Sequence, residues 1–343
     1  MSAGVVEATR RRETGRARTV AVALFVAVIA MYALTLSYGE FQISLPDVVR
    51  SLFGLPTPAG VDYIMHDLRL PRASVSALAG LAFGLSGALF QQLLRNPLAS
   101  PDVIGVSQGA TTAGIVTVLL LGLDGGVAAA AGLAGAVLTA LTIYALSWRK
   151  GVGGYRFILV GIGIGTVLTS ITSYILTRSD VKIAAEAMIW LTGSVNGRTW
   201  PQIVPLAVAL VILVPLALIL GRTLTGMQLG DDLATAFGVR VQWSRFLLLI
   251  IAVCLAGMAT SAAGPIAFVA FMSGPIAARL VGGGRPVLVQ AALVGALLVL
   301  VSDFIGSHLL GSRQFPVGVV TGVIGAPYLL WLLATANRSG RGG

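Results

Sequence analysis

A chain of 343 residues that is 56% hydrophobic and only 10% charged carries more apolar surface than a soluble core of ordinary proportions absorbs, so it reads as an integral membrane protein. Its net charge of +10 falls in short loops and not on a basic helix interleaved with aromatics, which argues against a nucleic-acid partner. One cysteine, Cys254, and two distant histidines, His66 and His308, leave no disulfide within the chain and too few soft ligands for a metal centre, so no cofactor is expected.

Residues 1–18 are polar and carry Arg10, Arg11, Arg12, Arg16 and Arg18 ahead of the apolar run 19–36. That run is of full membrane length and no small-residue cleavage site follows it, so it is read as an uncleaved first helix with its basic leading edge in the cytoplasm. The mixed stretch 37–67, with Pro46, Pro56 and Pro58, reads as an outer loop. Crossings then alternate at about 73–94, 105–121, 127–146, 157–176 and 203–220. After a polar segment, 221–245, come 246–261, a shorter stretch at 266–278, then 287–310 and 317–333. The expectation is an all-α membrane protein of about ten transmembrane helices, with a transmembrane domain 19–336 between cytoplasmic tails 1–18 and 337–343. On this scheme 16 of the 23 basic residues lie inside, as the positive-inside rule requires. Gly80 and Gly84, Gly161 and Gly165, and Gly318 and Gly322 stand four apart, a spacing that suits close helix packing.

Little in this sequence resembles catalytic machinery. Asp303 is the one acid within a predicted crossing, which makes it either functional or locally paired. No nucleophile–base pair occurs at helical spacing, and the two lysines, Lys150 and Lys182, do not follow a glycine, so there is no P-loop for ATP. An intramembrane enzyme and a proton-coupled carrier are both disfavoured, the second because ionisable residues are nearly absent at mid-membrane. Pro71 suits a helix start, and Arg69 and Arg72 then share one face at the outer mouth, open either to partner carboxylates or to simple snorkelling. Asn96, Pro97 and Leu98 form a stiff turn at the inner end. Asp231 and Asp232 follow Gly230 at the start of a short helix, complementing its dipole, with Leu233, Ala234, Phe237 and Val239 available to a partner.

Arg69-Leu70-Pro71-Arg72, Ser86-Gly87-Ala88 with Gln91, and the run 96–110 from Asn-Pro-Leu-Ala-Ser-Pro to Gly-Val-Ser-Gln-Gly-Ala together resemble the FecCD family. These are membrane permeases of type II ABC importers for iron-siderophores, haem and cobalamin. Residues 227–239, Gly264-Pro265-Ile266, and Phe315-Pro316-Val317 with Gly325-Ala326-Pro327 agree in order. The resemblance implies docking of a periplasmic or lipid-anchored substrate-binding protein on Arg69, Arg72 and Arg313. It implies a cytoplasmic gate at Asn96, Pro97 and Leu98 with a second at Gly154 and Tyr155. A coupling helix for two ATPase subunits would fall at Gly230, Asp231, Asp232, Ala234, Phe237 and Gly238. The translocation path would include Gln91, Gly161, Gly165, Thr169 and Thr172. The likeness at Ser100-Pro101-Asp102 and Gly230-Asp231-Asp232 is to ferric-siderophore permeases, which implies that cargo and a heterodimer with a paralogous permease, a homodimer being the alternative assembly, in a bacterial inner membrane; a cobalamin or haem importer is the alternative cargo reading. Two departures are the missing histidine near Pro275 and Ser307 in place of an arginine.

Overall fold

The computed structural model describes residues 3–39, 41–123, 125–148, 154–228, 230–282, 286–310 and 314–339, with side chains outside 3–12, 125 and 336–339. It is helical, with no β-strand among the described residues. In order the helices are α1 Ala3–Ser37, α2 Leu45–Leu52 and α3 Val61–Tyr63, which a π-helical turn, Ile64–Arg69, joins to α4 Leu70–Leu93. Then come α5 Val106–Ile115 with its π-helical end Val116–Leu120, α6 Gly125–Ser147, α7 Gly154–Arg178, α8 Val181–Leu191 and α9 Trp200–Gln228. The series closes with α10 Asp231–Ala236, α11 Val241–Ala263, α12 Val269–Val281, α13 Leu288–His308 and α14 Val317–Ser339.

Eight of the described helices are long and apolar enough to cross a bilayer, while Val106–Leu120 and Val269–Val281 are shorter apolar helices. Both short helices begin within the bundle. The segment ahead of α5 reaches Gly105, at φ +92, whose backbone lies against Gly161 and Gly165 well inside α7. Ahead of α12, Gly264 and Phe268 take positive φ, and the Phe268 side chain reaches Gly325 inside α14. Irregular backbone at such depth survives only where protein surrounds it. Three expected boundaries also shift. α1 runs unbroken through residue 18 and α14 through residue 336, so both helices continue into the stretches expected as tails. α9 continues to Gln228, eight residues into the polar segment 221–245, because Gly221 seats on Leu288 and both Leu224 and Met227 are buried.

α4 is the axis of the packing, with 78% of its apolar window buried against 17% for that of α1. Small residues let its neighbours close on it. A Cβ on Gly80 would stand 2.7 Å from the Ala296 Cα, one on Gly84 3.1 Å from the Gly295 Cα, and one on Gly87 2.9 Å from the Ala270 Cα. The second predicted glycine pair packs likewise on Ile104 and Gly105, whereas the third is split: Gly318 abuts the Thr192 carbonyl and Gly322 meets open space. Because the obstacles at Gly80 are backbone, Gly80→Val should destabilise the protein by about 3 kcal/mol, the upper end for overpacking. Gly226→Ala, whose new methyl would meet only Val239 at 3.6 Å, should be neutral or slightly stabilising. Thermal unfolding in detergent reads both.

The helix ends gather at two opposite poles. At one, Arg69 binds the end of α1, Trp200 Nε1 donates to the His66 carbonyl at 3.0 Å, and the Gly318 N–H donates to the Gly193 carbonyl at 3.0 Å. At the other, Arg16 Nε donates to the Leu280 carbonyl at 3.2 Å, and Gln290 Nε2 to the Ala17 carbonyl at 3.0 Å. The first set joins segments expected outside, and the second joins segments expected inside.

Candidate functional site

At the first pole, the start of α4 aims Arg72 at α13. Its Nη2 lies 2.9 Å from Asp303 Oδ1 and also donates to Ser307 Oγ, and its Nε bonds both Asp303 oxygens at 3.1 Å. Asp303 is 1% exposed, so the pair is desolvated on the acid's side and half-sheltered on the arginine's. Of the two readings open for Asp303, this is local pairing. Ser307, where an arginine was expected, completes the cradle. Among the described residues, Arg72 Nη1 has only long contacts, 3.5 Å to Asn196 Oδ1 and 3.4 Å to Gln314 Oε1. Arg69 donates to the carbonyls of Leu36, Ser37 and Phe41, tying α1 to α4. Both arginines line one cavity of about 300 Å³ with Asp303 and Ser307, but the carbonyls at the end of α1 engage Arg69 while Arg72 is paired to the acid. Arg313 lies outside the described residues.

At the opposite pole the chain leaves α4 through Arg95, at φ +50, and Asn96 Oδ1 accepts the Leu98 N–H at 2.9 Å. Such an Asx turn, followed by Pro97, is locally stiff. Gly154 comes against this corner, since a Cβ on it would stand 2.9 Å from the Leu94 carbonyl oxygen. The two predicted gate segments are thus neighbours. Tyr155 is 83% exposed beside them. Arg279 lies over Trp331, 4.1 Å from the ring centroid, and donates to Tyr328 Oη at 3.0 Å, joining α12 to α14 where the expected histidine is missing.

α10 is fixed by its acid. Arg95 Nη2 and Arg245 Nη2 each lie 3.1 Å from Asp231 Oδ1, and Arg95 also donates to the Met227 carbonyl at the end of α9. Gly230 at φ +110 and Gly238 at φ +80 give the sharp entry and exit that a side chain would resist. With Asp231 turned inward, the helix exposes Leu233 and Phe237, at 53% and 73%, and buries Ala234 completely. Ala234 is therefore packing, as is Val239, which sits on Gly226; neither faces a partner as expected. Asp232 is exposed beside them.

The path residues separate into two groups. Gln91 is buried and donates to the Phe271 carbonyl at 2.9 Å, holding α4 to α12. Gly161 and Gly165 pack on the turn before α5. All three take part in helix packing, and Gln91 also lines a cavity of about 370 Å³ beside Arg95, Asn96 and Pro97. Thr169 and Thr172 instead line a cavity of about 400 Å³ between α5 and α7, where Thr172 Oγ1 meets Thr112 Oγ1 at 2.9 Å. Asp102, Gln108 and Thr111, which share that cavity, were not singled out from the sequence as site residues. From Phe157 to Thr177, α7 carries no charge, and its outward side shows Ile162, Val167, Ile171 and Tyr174.

Residues 25–335 match the FecCD transport family. The chain is 38% identical over 300 residues to the ferric enterobactin transport system permease protein of Escherichia coli K12, covering 88% of this chain and 91% of that one. It is 38% identical over 309 residues to the achromobactin transport system permease protein of Dickeya dadantii 3937, covering 89% and 88%. A solved metal-chelate type ABC transporter in an inward-facing conformation superposes with a TM-score of 0.82 at 22% identity, over 93% of this chain and 99% of that one, which speaks to the fold. A match across nearly the whole bundle leaves one assignment: the chain belongs to the FecCD transport family.

Proposed function

We propose that this chain is one half of the transmembrane channel of an ABC importer that carries a ferric siderophore across a bacterial cytoplasmic membrane, with ATP hydrolysis on separate subunits. The observation that carries the reading is the partition of charge. Apart from Asp102 ahead of α5, the ionic groups described above collect at the two poles, while the outward side of α7 between Phe157 and Thr177 offers only apolar and hydroxyl groups to a bulky passenger. Such a wall binds weakly and lets go, as conduction requires. The relatives named for ferric enterobactin and achromobactin point to an iron chelate as that passenger.

In this reading the Arg72 pole faces outward and both termini lie in the cytoplasm, bounding a transmembrane domain 19–336. A lipid-anchored or periplasmic binding protein docks at the outer pole, where Arg72 Nη1, held only by long neutral contacts, is the donor that a partner carboxylate takes. Arg69, committed to α1, supports the mouth. A second, paralogous permease covers the exposed faces of α7 and α14. Two ATPase subunits receive Leu233 and Phe237 of α10. Gate movement occurs where Asn96, Pro97 and Leu98 adjoin Gly154 and Tyr155.

Deletion of the reading frame should abolish cellular uptake of radiolabelled ferric siderophore and leave cobalamin uptake intact. Loss of cobalamin or haem uptake with iron uptake preserved would select the alternative cargo.

A further inference from the structure

We propose that the cavity between α5 and α7 binds a monovalent cation through Asp102. The turn that precedes α5 carries Asp102 into the bundle, and Ser107 Oγ donates to its Oδ1 at 2.5 Å. The other carboxylate oxygen, Oδ2, is buried without a hydrogen-bond partner among the described residues, as are Gln108 Oε1 and Thr111 Oγ1. Thr111 is 6% exposed, and it lies one turn beyond Ser107 and Gln108 on the same side of α5. All four residues line the cavity of about 400 Å³, which Thr169, Thr172 and Ser173 of α7 close from the other side. Thr169 Oγ1 gives its proton to the Gly165 carbonyl at 2.9 Å, so toward any other group its oxygen is an acceptor.

The site is thus rich in oxygen acceptors and holds a single negative charge. Its remaining described lining, Leu176, Met188, Leu191, Pro265 and Ala267, is apolar and contributes no lysine, arginine or histidine. A buried carboxylate with one neutral partner is unfavourable until something positive joins it. Oxygen-only donors select a hard cation. Charge selects its valence: one carboxylate is neutralised by a single positive charge, whereas a divalent ion would leave excess charge among apolar side chains. The volume admits the ion with several of its waters, each needing roughly 30 Å³. Gly105 touches Gly165 beside the site, so an ion held there draws the start of α5 onto α7.

The site adjoins the path assigned to α7, but it is tested by binding and not by uptake, so the two readings fail separately. Thermal unfolding of the purified transporter complex in nanodiscs is compared in choline, sodium and potassium chloride at one ionic strength. The midpoint should rise by about 2–4 °C in sodium or potassium relative to choline, saturably, and the rise should vanish in Asp102→Asn and in Thr111→Val. Should Asp102→Asn fail to fold, Thr111→Val carries the comparison together with sodium NMR line broadening on the unmodified complex. Equal midpoints in all three salts would overturn the proposal, and so would a rise that survives in Thr111→Val. A stability that follows pH and ignores the alkali ions would make a proton the counter-ion and overturn it equally.

Discussion

Asp303→Ala should cost about 3–5 kcal/mol of stability, the range for removing one partner of a buried ion pair and stranding the other. Asp303 is 1% exposed and takes three hydrogen bonds from Arg72, and those bonds hold the top of α13 to the top of α4. Losing the acid leaves a guanidinium whose side chain is only 20% exposed facing Ser307 and two long amide contacts. Removing both charges is a different matter. Arg72→Met combined with Asp303→Leu should be milder than Asp303→Ala alone, since no orphan charge remains and apolar side chains fill the gap. Thermal unfolding of the wild type, Arg72→Met, Asp303→Leu and the double variant closes a double-mutant cycle that gives the coupling directly. Additive losses would mean that the two groups do not act as a pair.

The second large effect is expected on coupling to the ATPase. Leu233→Asp with Phe237→Asp places charge on the two exposed apolar residues of α10, so ATPase association should weaken by roughly 2 kcal/mol or more, about thirtyfold in affinity, with uptake falling accordingly. The unfolding midpoint should stay unchanged, because neither side chain is buried in this chain. Ala234→Asp should do the reverse. Ala234 is fully buried, so its replacement should lower the folded yield before any partner is involved. Copurification of the ATPase, read against the midpoint of each variant, separates the two outcomes.

The contrast between Leu233 and Ala234 shows where sequence reasoning stops. That a short acidic-capped helix follows Gly230 is written in adjacent residues. Which side of it turns inward is decided by Arg95 and Arg245, and neither is a sequence neighbour of Asp231 in any pattern a single chain displays. The same holds for Asp303. Its rarity in an apolar run flags it, but its partner Arg72 stands 231 positions away. The poles themselves were legible, because loop charge and strict alternation of crossings sort residues to two sides. Glycine was the ambiguous letter. Gly161 and Gly165 suit both a smooth path and a close contact, and the backbone at Ile104 and Gly105 makes them a contact. The shortness of α12 was legible in the short apolar stretch 266–278, and 105–121 already marked α5 with its π-helical end; what hydropathy does not register is that the turns before them, at Gly105 and Phe268, pack within the bundle.

The account rests on this chain forming an ATP-driven path for an iron chelate, and reconstitution tests that most directly. The complex of both permeases and the ATPase, placed in proteoliposomes with the binding protein, should accumulate radiolabelled ferric siderophore when ATP is supplied, and accumulation should stop when ATP is withheld. Accumulation indifferent to ATP, or ATP-driven accumulation of cobalamin or haem with the ferric siderophore left outside, would contradict it.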